Sequence, residues 1–591
     1  AIQQNHTISV SGGSDSTTYN FSAGKQLEEG LVTGNDYTRL SLNAGVESQV
    51  SDKMKVGFTA YLTENERNWG SHEAVRSAMR ARPTATPFFD DIVNANKRDT
   101  NFGPVGPYAF YMGINDSQVI NPLVEIHPDN YQRQNRSNSL IANVYLEYEI
   151  TPGLKFKTSY SGYNNNIREG EYRGTFTKSR KGSRSPIAST NQFKTSNYTI
   201  DNTLTYQVEF GKHSINATAL ASIFEEYNEQ IGLAVEDLPY KSLWHSLGTG
   251  ATVTNYGSNL EEYSIASYMG RINYGFNDKY LLTVTGRYDG ASQLADGNKW
   301  AFFPSAAIGW RLSEESFIQD LGAFNNLKLR VSYGEVGNNA SINPYATQAN
   351  IFQTFYDFDG TPSLGYTINA LSNQGIVWER SKEINVGLDF SLSDLPISGT
   401  IEYYKRNTED LILDDKVPNS TGFNNVLGNV GEIENSGIEI SLNSVNVSTG
   451  DFRWTSNLTF TANDDKVVKL AGGLTEDIGN GRFVGESVRA LYSYKFEGIW
   501  QLGQEAEAAE FGQVPGQIRI RDLNDDKKIN SEDRMIVGSG TPDWTAGLRN
   551  QLTYKNWDLS FFVYTRQGLM YSNAFLNGTF GDIASDRYNR S

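Results

Sequence analysis

Apolar and polar residues alternate one for one along most of this chain, the period of a β-strand with two unlike faces. In SLIANVYLEYEI (139–150), Leu140, Ala142, Val144, Leu146, Tyr148 and Ile150 share one parity; Asn143, Tyr145, Glu147 and Glu149 take the other. In FRWTSNLTFTA, Phe452, Trp454, Leu458 and Phe460 oppose Arg453, Thr455, Asn457, Thr459 and Thr461. Leu282, Val284 and Tyr288 likewise oppose Thr283, Thr285, Arg287 and Asp289, and Trp557, Leu559, Phe561 and Val563 oppose Asp558, Ser560, Tyr564 and Arg566. These apolar stripes predict strands of about ten residues, longer than the ~5–6 of globular sheets and near the ~9–11 that cross a bilayer at a tilt. The charges keep to one parity. An Arg or Lys facing lipid costs roughly 2–4 kcal/mol at mid-membrane, so the apolar parity is assigned to lipid and the charged one to a watery lumen. A soluble sandwich with one wet face is the alternative, and repeated strands of this length count against it.

The connections are of two kinds. Tight turns are expected at 51–53, 151–153, 211–212, 277–279, 394–396, 448–451 and 555–556, and long loops at 65–135, 165–196, 228–261, 336–376, 409–432 and 465–543. One rim of turns and one of large loops is the pattern of an all-β transmembrane antiparallel barrel, turns periplasmic and loops extracellular. Counting strands around the turns gives about eighteen by residue 566. An open edge cannot sit in lipid, so residues 1–591 are expected to be an incomplete barrel domain lacking its last strands.

Composition narrows the alternatives. Aromatics at 12% argue against disorder despite the low mean hydropathy of −0.49. A net charge of −17 disfavours a nucleic-acid partner. With no cysteine there is no disulfide scaffold, thiolate metal site or Cys nucleophile. No apolar run reaches the ~18 residues of a membrane helix, and AIQQNHTISV does not read as a signal peptide. The five histidines have no metal or triad spacing, and no nucleophile elbow or phosphate loop appears, so no enzyme and no organic cofactor is expected.

Three stretches carry candidate chemistry. DLNDDKKINSED (522–533) places Asp522, Asn524, Asp526, Lys528 (by its carbonyl), Asn530 and Asp533 at the six positions that hold calcium in an EF-hand-type loop. Against it stands Lys527, where the sharp turn normally takes Gly; an Asx-rich turn without an ion is the plain alternative. Two aromatic loops, with Phe88, Phe89, Tyr108, Phe110 and Tyr111 in one and Phe355, Tyr356 and Phe358 in the other, suit the apolar faces of sugar rings. They equally suit packing of loop on loop. Lys178, Arg180, Lys181 and Arg184 form a basic cluster, by default a solvated loop and otherwise a contact for lipopolysaccharide phosphates at the membrane.

From about residue 280 the chain resembles the SusC/RagA-type TonB-dependent outer-membrane transporters of Bacteroidetes. The resemblance rests on segments that follow in order: LTVTGRYDGAS (282–292), WAFFPSAAIGWRLSEE (300–315), LKLRVSYGEVGN (327–338), VWERSKEINVGLDFSL (377–392), GTIEYYKRNTEDLIL (399–413), NVGEIENSGIEISL (429–442) and GQIRIRDLNDDKKINSEDRMIVGSGTPDWTAGLRNQLTYKNWDLSFFVYTRQG (516–568). NHTISVSGGSDSTTYNFSAGKQLEEG (5–30) is similar to that family's first barrel hairpin. The resemblance implies a 22-stranded barrel in the outer membrane, an N-terminal plug and TonB box not seen in this stretch, and a SusD-like lipoprotein lid. It further implies import of an oligosaccharide or peptide, driven by TonB acting on the plug. The family often carries a loop equivalent to 522–533, to which a structural Ca2+ role is assigned. A barrel of the same lineage that serves as a scaffold or in secretion and imports nothing is the rival reading; a secreted soluble glycan-binding β protein is a third.

Overall fold

The computed structural model describes residues 2–80, 120–182, 184–239, 241–368 and 371–571. Eighteen strands form the main sheet, the number expected from the alternation. The chain divides into two compact units, residues 1–204 and 220–266 in the first, 205–219 and 267–572 in the second.

In the first unit Ile2–Gly13, Thr17–Glu29, Asp36–Ser51, Met54–Asn68, Tyr131–Thr151 and Leu154–Arg173 form a meander in which each strand pairs antiparallel with the next. Phe58, Leu62, Leu140 and Val144 stand exposed on its apolar face. The buried core of this unit lies instead where strand ends meet the connection 237–251. Tyr172, Ala188, Val235, Leu238, Trp244 and Leu247 pack together, with Leu233 and Leu243 against them. Trp244 lies flat on Gly170, where a Cβ would come within 2.0 Å of the indole. Arg168 covers the ring at 4.9 Å, a cation–π contact. Gly170→Ala is therefore expected to lift Trp244 off the cluster at an overpacking cost of about 1–3 kcal/mol. Hydrogen exchange over 241–250 should accelerate at least fivefold while the paired strands keep their protection.

The second unit continues as Tyr280–Ala291, Trp300–Arg311, Phe324–Asn338, Glu379–Leu392, Ile397–Lys416, Asn425–Thr449, Phe452–Lys469, Trp544–Tyr554 and Trp557–Gln567, again antiparallel neighbour to neighbour. Its registers align the apolar parity into rows across the sheet. Leu327, Phe390, Gly399, Leu442, Leu458 and Leu548 share one row; Leu329, Leu388, Ile401, Ile440, Phe460 and Ala546 share the next. Val331, Val386, Tyr403, Ile438 and Ala462 form the last apolar row. The following row reads Tyr333, Ile384, Lys405, Ser436 and Asp464, and the one beyond it Glu335, Lys382, Asn407, Glu434 and Lys466. The change from apolar to charged takes two rows.

Along Phe452–Lys469 the apolar parity runs from Phe452 to Ala462. Ten residues at ~3.4 Å each span ~34 Å, or ~24 Å at a ~45° tilt, close to the ~25 Å apolar band of a membrane barrel. The opposite face carries the paired charges. Arg330 donates to Asp389 at 2.8 Å and to Glu402 at 2.6 Å, and Arg406 to Glu383 at 2.7 Å.

Strand lengths depart from expectation. Asn425–Thr449 is 25 residues and Ile397–Lys416 is 20, so the loop expected at 409–432 shrinks to the few residues between them. Ladder hydrogen bonds need no apolar side chain, and pairing therefore continues where the hydrophobic stripe has stopped. The loop expected at 336–376 contains a separate hairpin, Ile351–Phe358 with Thr361–Ile368. That at 465–543 holds three small two-stranded sheets and a short helix, Glu505–Glu510.

Candidate functional site

The loop 522–533 joins two of those small sheets. It follows Ile518–Ile520, which pairs with Phe496–Ile499, and precedes Arg534–Ser539, which pairs with Ala490–Tyr494. Asx side chains curl it in steps. Asp522 Oδ2 accepts the Lys527 N–H at 2.9 Å, Asn524 Oδ1 that of Asp526 at 3.2 Å, and Asp526 Oδ1 that of Lys528 at 2.8 Å. Asn530 caps the short 3-10 turn Ser531–Asp533 and shares a capping box with Asp533. Asp533 is fully buried. Its Oδ2 accepts the Asn530 N–H at 2.8 Å and its Oδ1 the Leu523 N–H at 2.9 Å. Those two N–H groups, Asn530 first, hold its carboxyl below the usual carboxylate range.

Lys527 does adopt the left-handed conformation that made it the doubtful residue, with φ +64°. Such a backbone costs a non-glycine residue about 1–2 kcal/mol. Its side chain recovers part of this by reaching the helix Glu505–Glu510: the ammonium lies 5.2 Å from the Phe511 ring centre and 3.6 Å from Glu510.

The loop brings together the turn geometry of the six positions, but among the described residues no three His, Cys, Asp or Glu side chains group to hold a metal. Asn524 and the Lys528 carbonyl are neutral donors, and both Asp533 oxygens face backbone N–H groups. One oxygen is left over. Asp522 Oδ1 is buried and has no hydrogen-bond partner, an arrangement costly for a carboxylate unless a cation completes it. The all-oxygen donor set suits a hard cation and no soft metal.

Of the aromatic residues singled out for sugar contact, Phe88, Phe89, Tyr108, Phe110 and Tyr111 lie outside the described residues. Phe355, Tyr356 and Phe358 stand on the hairpin, opposite Leu364, Ser363 and Thr361, and are 66%, 49% and 66% exposed. Phe355 and Leu364 occupy one face, Tyr356 and Phe358 the other. Tyr356 lies across Gly365, whose Cβ would fall 2.2 Å from the ring. The hairpin turns on Asp359 (φ +55°) and Gly360 (φ +79°), a type I′ pair. That Asp-Gly dipeptide is a hairpin signal legible in the sequence and overlooked there.

Half of the basic cluster faces inward. Lys178 pairs with Glu73, and Arg180 donates to Glu236 at 3.0 Å and to the Ser185 carbonyl at 2.6 Å. Beside it Glu125 is buried, accepting from Ser71 Oγ at 2.9 Å and from the Lys178 N–H at 2.8 Å, and burial pushes its carboxyl up.

Comparison with known proteins agrees with this geometry. Residues 78–590 match the family model described as TonB dependent receptor-like, beta-barrel. A TonB-dependent receptor of Formosa agariphila is 30% identical over 586 residues, which cover 95% of this chain and 57% of that protein. TonB-dependent receptor SusC of Bacteroides thetaiotaomicron is 25% identical over 604 residues, with 95% and 57% covered. Among solved structures the RagAB peptide transporter superposes with a TM-score of 0.77 at 21% identity, over 96% of this chain and 62% of that one. The chain thus spans less than two thirds of the length of these relatives.

Proposed function

The chain belongs to the TonB-dependent receptor family, as an outer-membrane β-barrel of the SusC/RagA type, and from that premise we propose that its protein imports an oligosaccharide or peptide nutrient. The reading includes a SusD-like surface lipoprotein as lid and coupling to TonB through a plug. What carries it is the exposed aromatic hairpin 351–368, a two-stranded sheet of its own set in a long connection of the barrel. An isolated two-stranded hairpin is marginal in water, and Phe355, Tyr356 and Phe358 offer ring faces to a sugar or a peptide side chain.

The test is growth of a strain that depends on this receptor for one nutrient. Phe355→Ala, Tyr356→Ala and Phe358→Ala together are expected to lower uptake at least tenfold with the barrel still present in the outer membrane. Wild-type uptake from the triple variant would remove the hairpin from the path. Purification in detergent is expected to bring a lipoprotein with the barrel; a receptor that neither co-purifies with one nor supports growth is the non-importing scaffold.

The loop 522–533 is read as a structural Ca2+ clip, with Asp522, Asn524, Asp526, the Lys528 carbonyl, Asn530 and Asp533 as its donors. The leftover Asp522 oxygen supports this. Calcium added to chelator-treated receptor is expected to slow hydrogen exchange across 518–539. Asp522→Asn should weaken the apparent affinity at least tenfold, and Lys527→Gly should tighten it severalfold by relieving the left-handed backbone. Exchange that ignores calcium in the wild type would leave the loop an Asx turn.

A further inference from the structure

Above the last apolar row of the second unit the sheet is notched. A cavity of ≈ 440 Å3 opens there, within the roughly 300–1,000 Å3 of ligand sites. Its lower edge is the apolar row itself, Tyr403, Ile438 and Ala462; its upper edge is polar, with Ser436, Asp464 and Asp543. Tyr403 and Ile438 are about half exposed on the lipid-facing parity, so the notch continues the surface that lipid covers.

Its back wall is fixed before any ligand arrives. Ser487 Oγ donates to Asp465 at 2.9 Å, Ser539 Oγ to Ser487 at 3.0 Å, and the Thr541 N–H to Ser539 Oγ at 2.9 Å. Two lysines neighbour the lining residues without lining the cavity themselves. Lys405 sits directly across the ladder from Ser436, and Lys466 lies two residues beyond Asp464. Both reach the same carboxylate, Glu434, at 2.9 and 2.8 Å. An ammonium has three donors, so one shared acceptor leaves donors on each lysine for an anion.

Resting on the outer-membrane reading above, we propose that this notch binds the phosphorylated saccharide headgroup of an outer-leaflet glycolipid. The acyl chains run down the rows ending in Tyr403, Ile438 and Ala462. Sugar hydroxyls donate to Asp464 and Asp543 and exchange hydrogen bonds with Ser436. The phosphate sits on Lys405 and Lys466. The three chemistries suit such a headgroup together: a bare phosphate would have no use for the carboxylates, and an uncharged glycoside none for the lysines. The site is separate from the basic cluster at 178–184, which belongs to the first unit.

The receptor, extracted from its outer membrane in mild detergent, is stripped of lipid and offered purified lipid A, phosphatidylglycerol or dodecyl maltoside. Native mass spectrometry then counts what is retained. Lipid A is expected at about one per receptor, with neither competitor retained. Ser436→Trp, which fills the notch, and Lys405→Gln with Lys466→Gln should each lower lipid A retention at least fivefold. Heat-modifiable migration on gels shows that the variants are folded, and Lys382→Gln, elsewhere in the charged row, should retain lipid A normally. Equal retention of phosphatidylglycerol, or retention unchanged in both notch variants, overturns the proposal. A receptor missing from the outer-membrane fraction would instead fault the premise.

Discussion

Leu548→Arg is expected to cost about 2–4 kcal/mol and to deplete assembled receptor from the outer membrane 30-fold or more. Leu548 pairs across the ladder with Leu458 and Val563, near the middle of the band that runs from Phe452 to Ala462. An arginine there must cross two apolar rows, those of Phe460 and Ala462, to reach the row where the charges begin. Tyr333→Arg is the matched comparison. Tyr333 belongs to the row where the charges begin, beside Ile384 and Lys405, and at that depth the cost falls to about 0–1 kcal/mol. Urea unfolding in lipid vesicles measures both. Equal costs would mean that the apolar rows do not face the hydrocarbon.

Asp533→Ala is expected to dissolve the connection between Ile518–Ile520 and Arg534–Ser539 while leaving the main sheet intact. The substitution strands the N–H groups of Leu523 and Asn530 and removes half of the capping box. Buried donors without acceptors are what a loop lacking a core of its own tolerates least. Protease cleavage within 518–539 should quicken at least tenfold. The same carboxylate sets an acid limit. Its folded-state pKa is depressed, so its contribution is fully present above the ordinary carboxylate pKa of about 4 and is lost as pH falls through the lower folded-state value. Wild-type 518–539 should keep its exchange protection from pH 7 to pH 5 and lose it only in stronger acid. Protection already lost at pH 5 would show that another group holds the loop.

What could be read beforehand followed from local physics. Strands such as Phe452–Lys469 announce themselves because each apolar residue repeats its neighbour's choice of face, and the turns between them are marked by Gly, Asp and Lys. The Asx turns of 522–533 were legible because the Asx spacing is itself the geometry. Two kinds of fact were not. The strand Asn425–Thr449 begins in NVLGNVGEIE, which has little alternation, and its pairing with Leu411–Lys416 makes it a strand. The folding of Trp244 onto Gly170 joins residues 74 apart, and neither residue advertises the other. The notch at Tyr403, Ser436 and Asp464 belongs with these, because three separate stripes must be aligned by register before their polar ends meet.

Those long strands have a further consequence. Asn425–Thr449 begins nine residues before Glu434, its member of the charged row. At ~3.4 Å per residue and a ~45° tilt this lifts the tip of the connection at 417–424 ~20 Å above the bilayer surface. The tip therefore stands out from the membrane on hydrogen-bonded stilts, where an antibody or a phage tail fibre could reach it. A short epitope inserted at Asn419–Thr421 should be stained on intact cells, whereas one placed in the turn at Gly450 should be stained only after the outer membrane is opened.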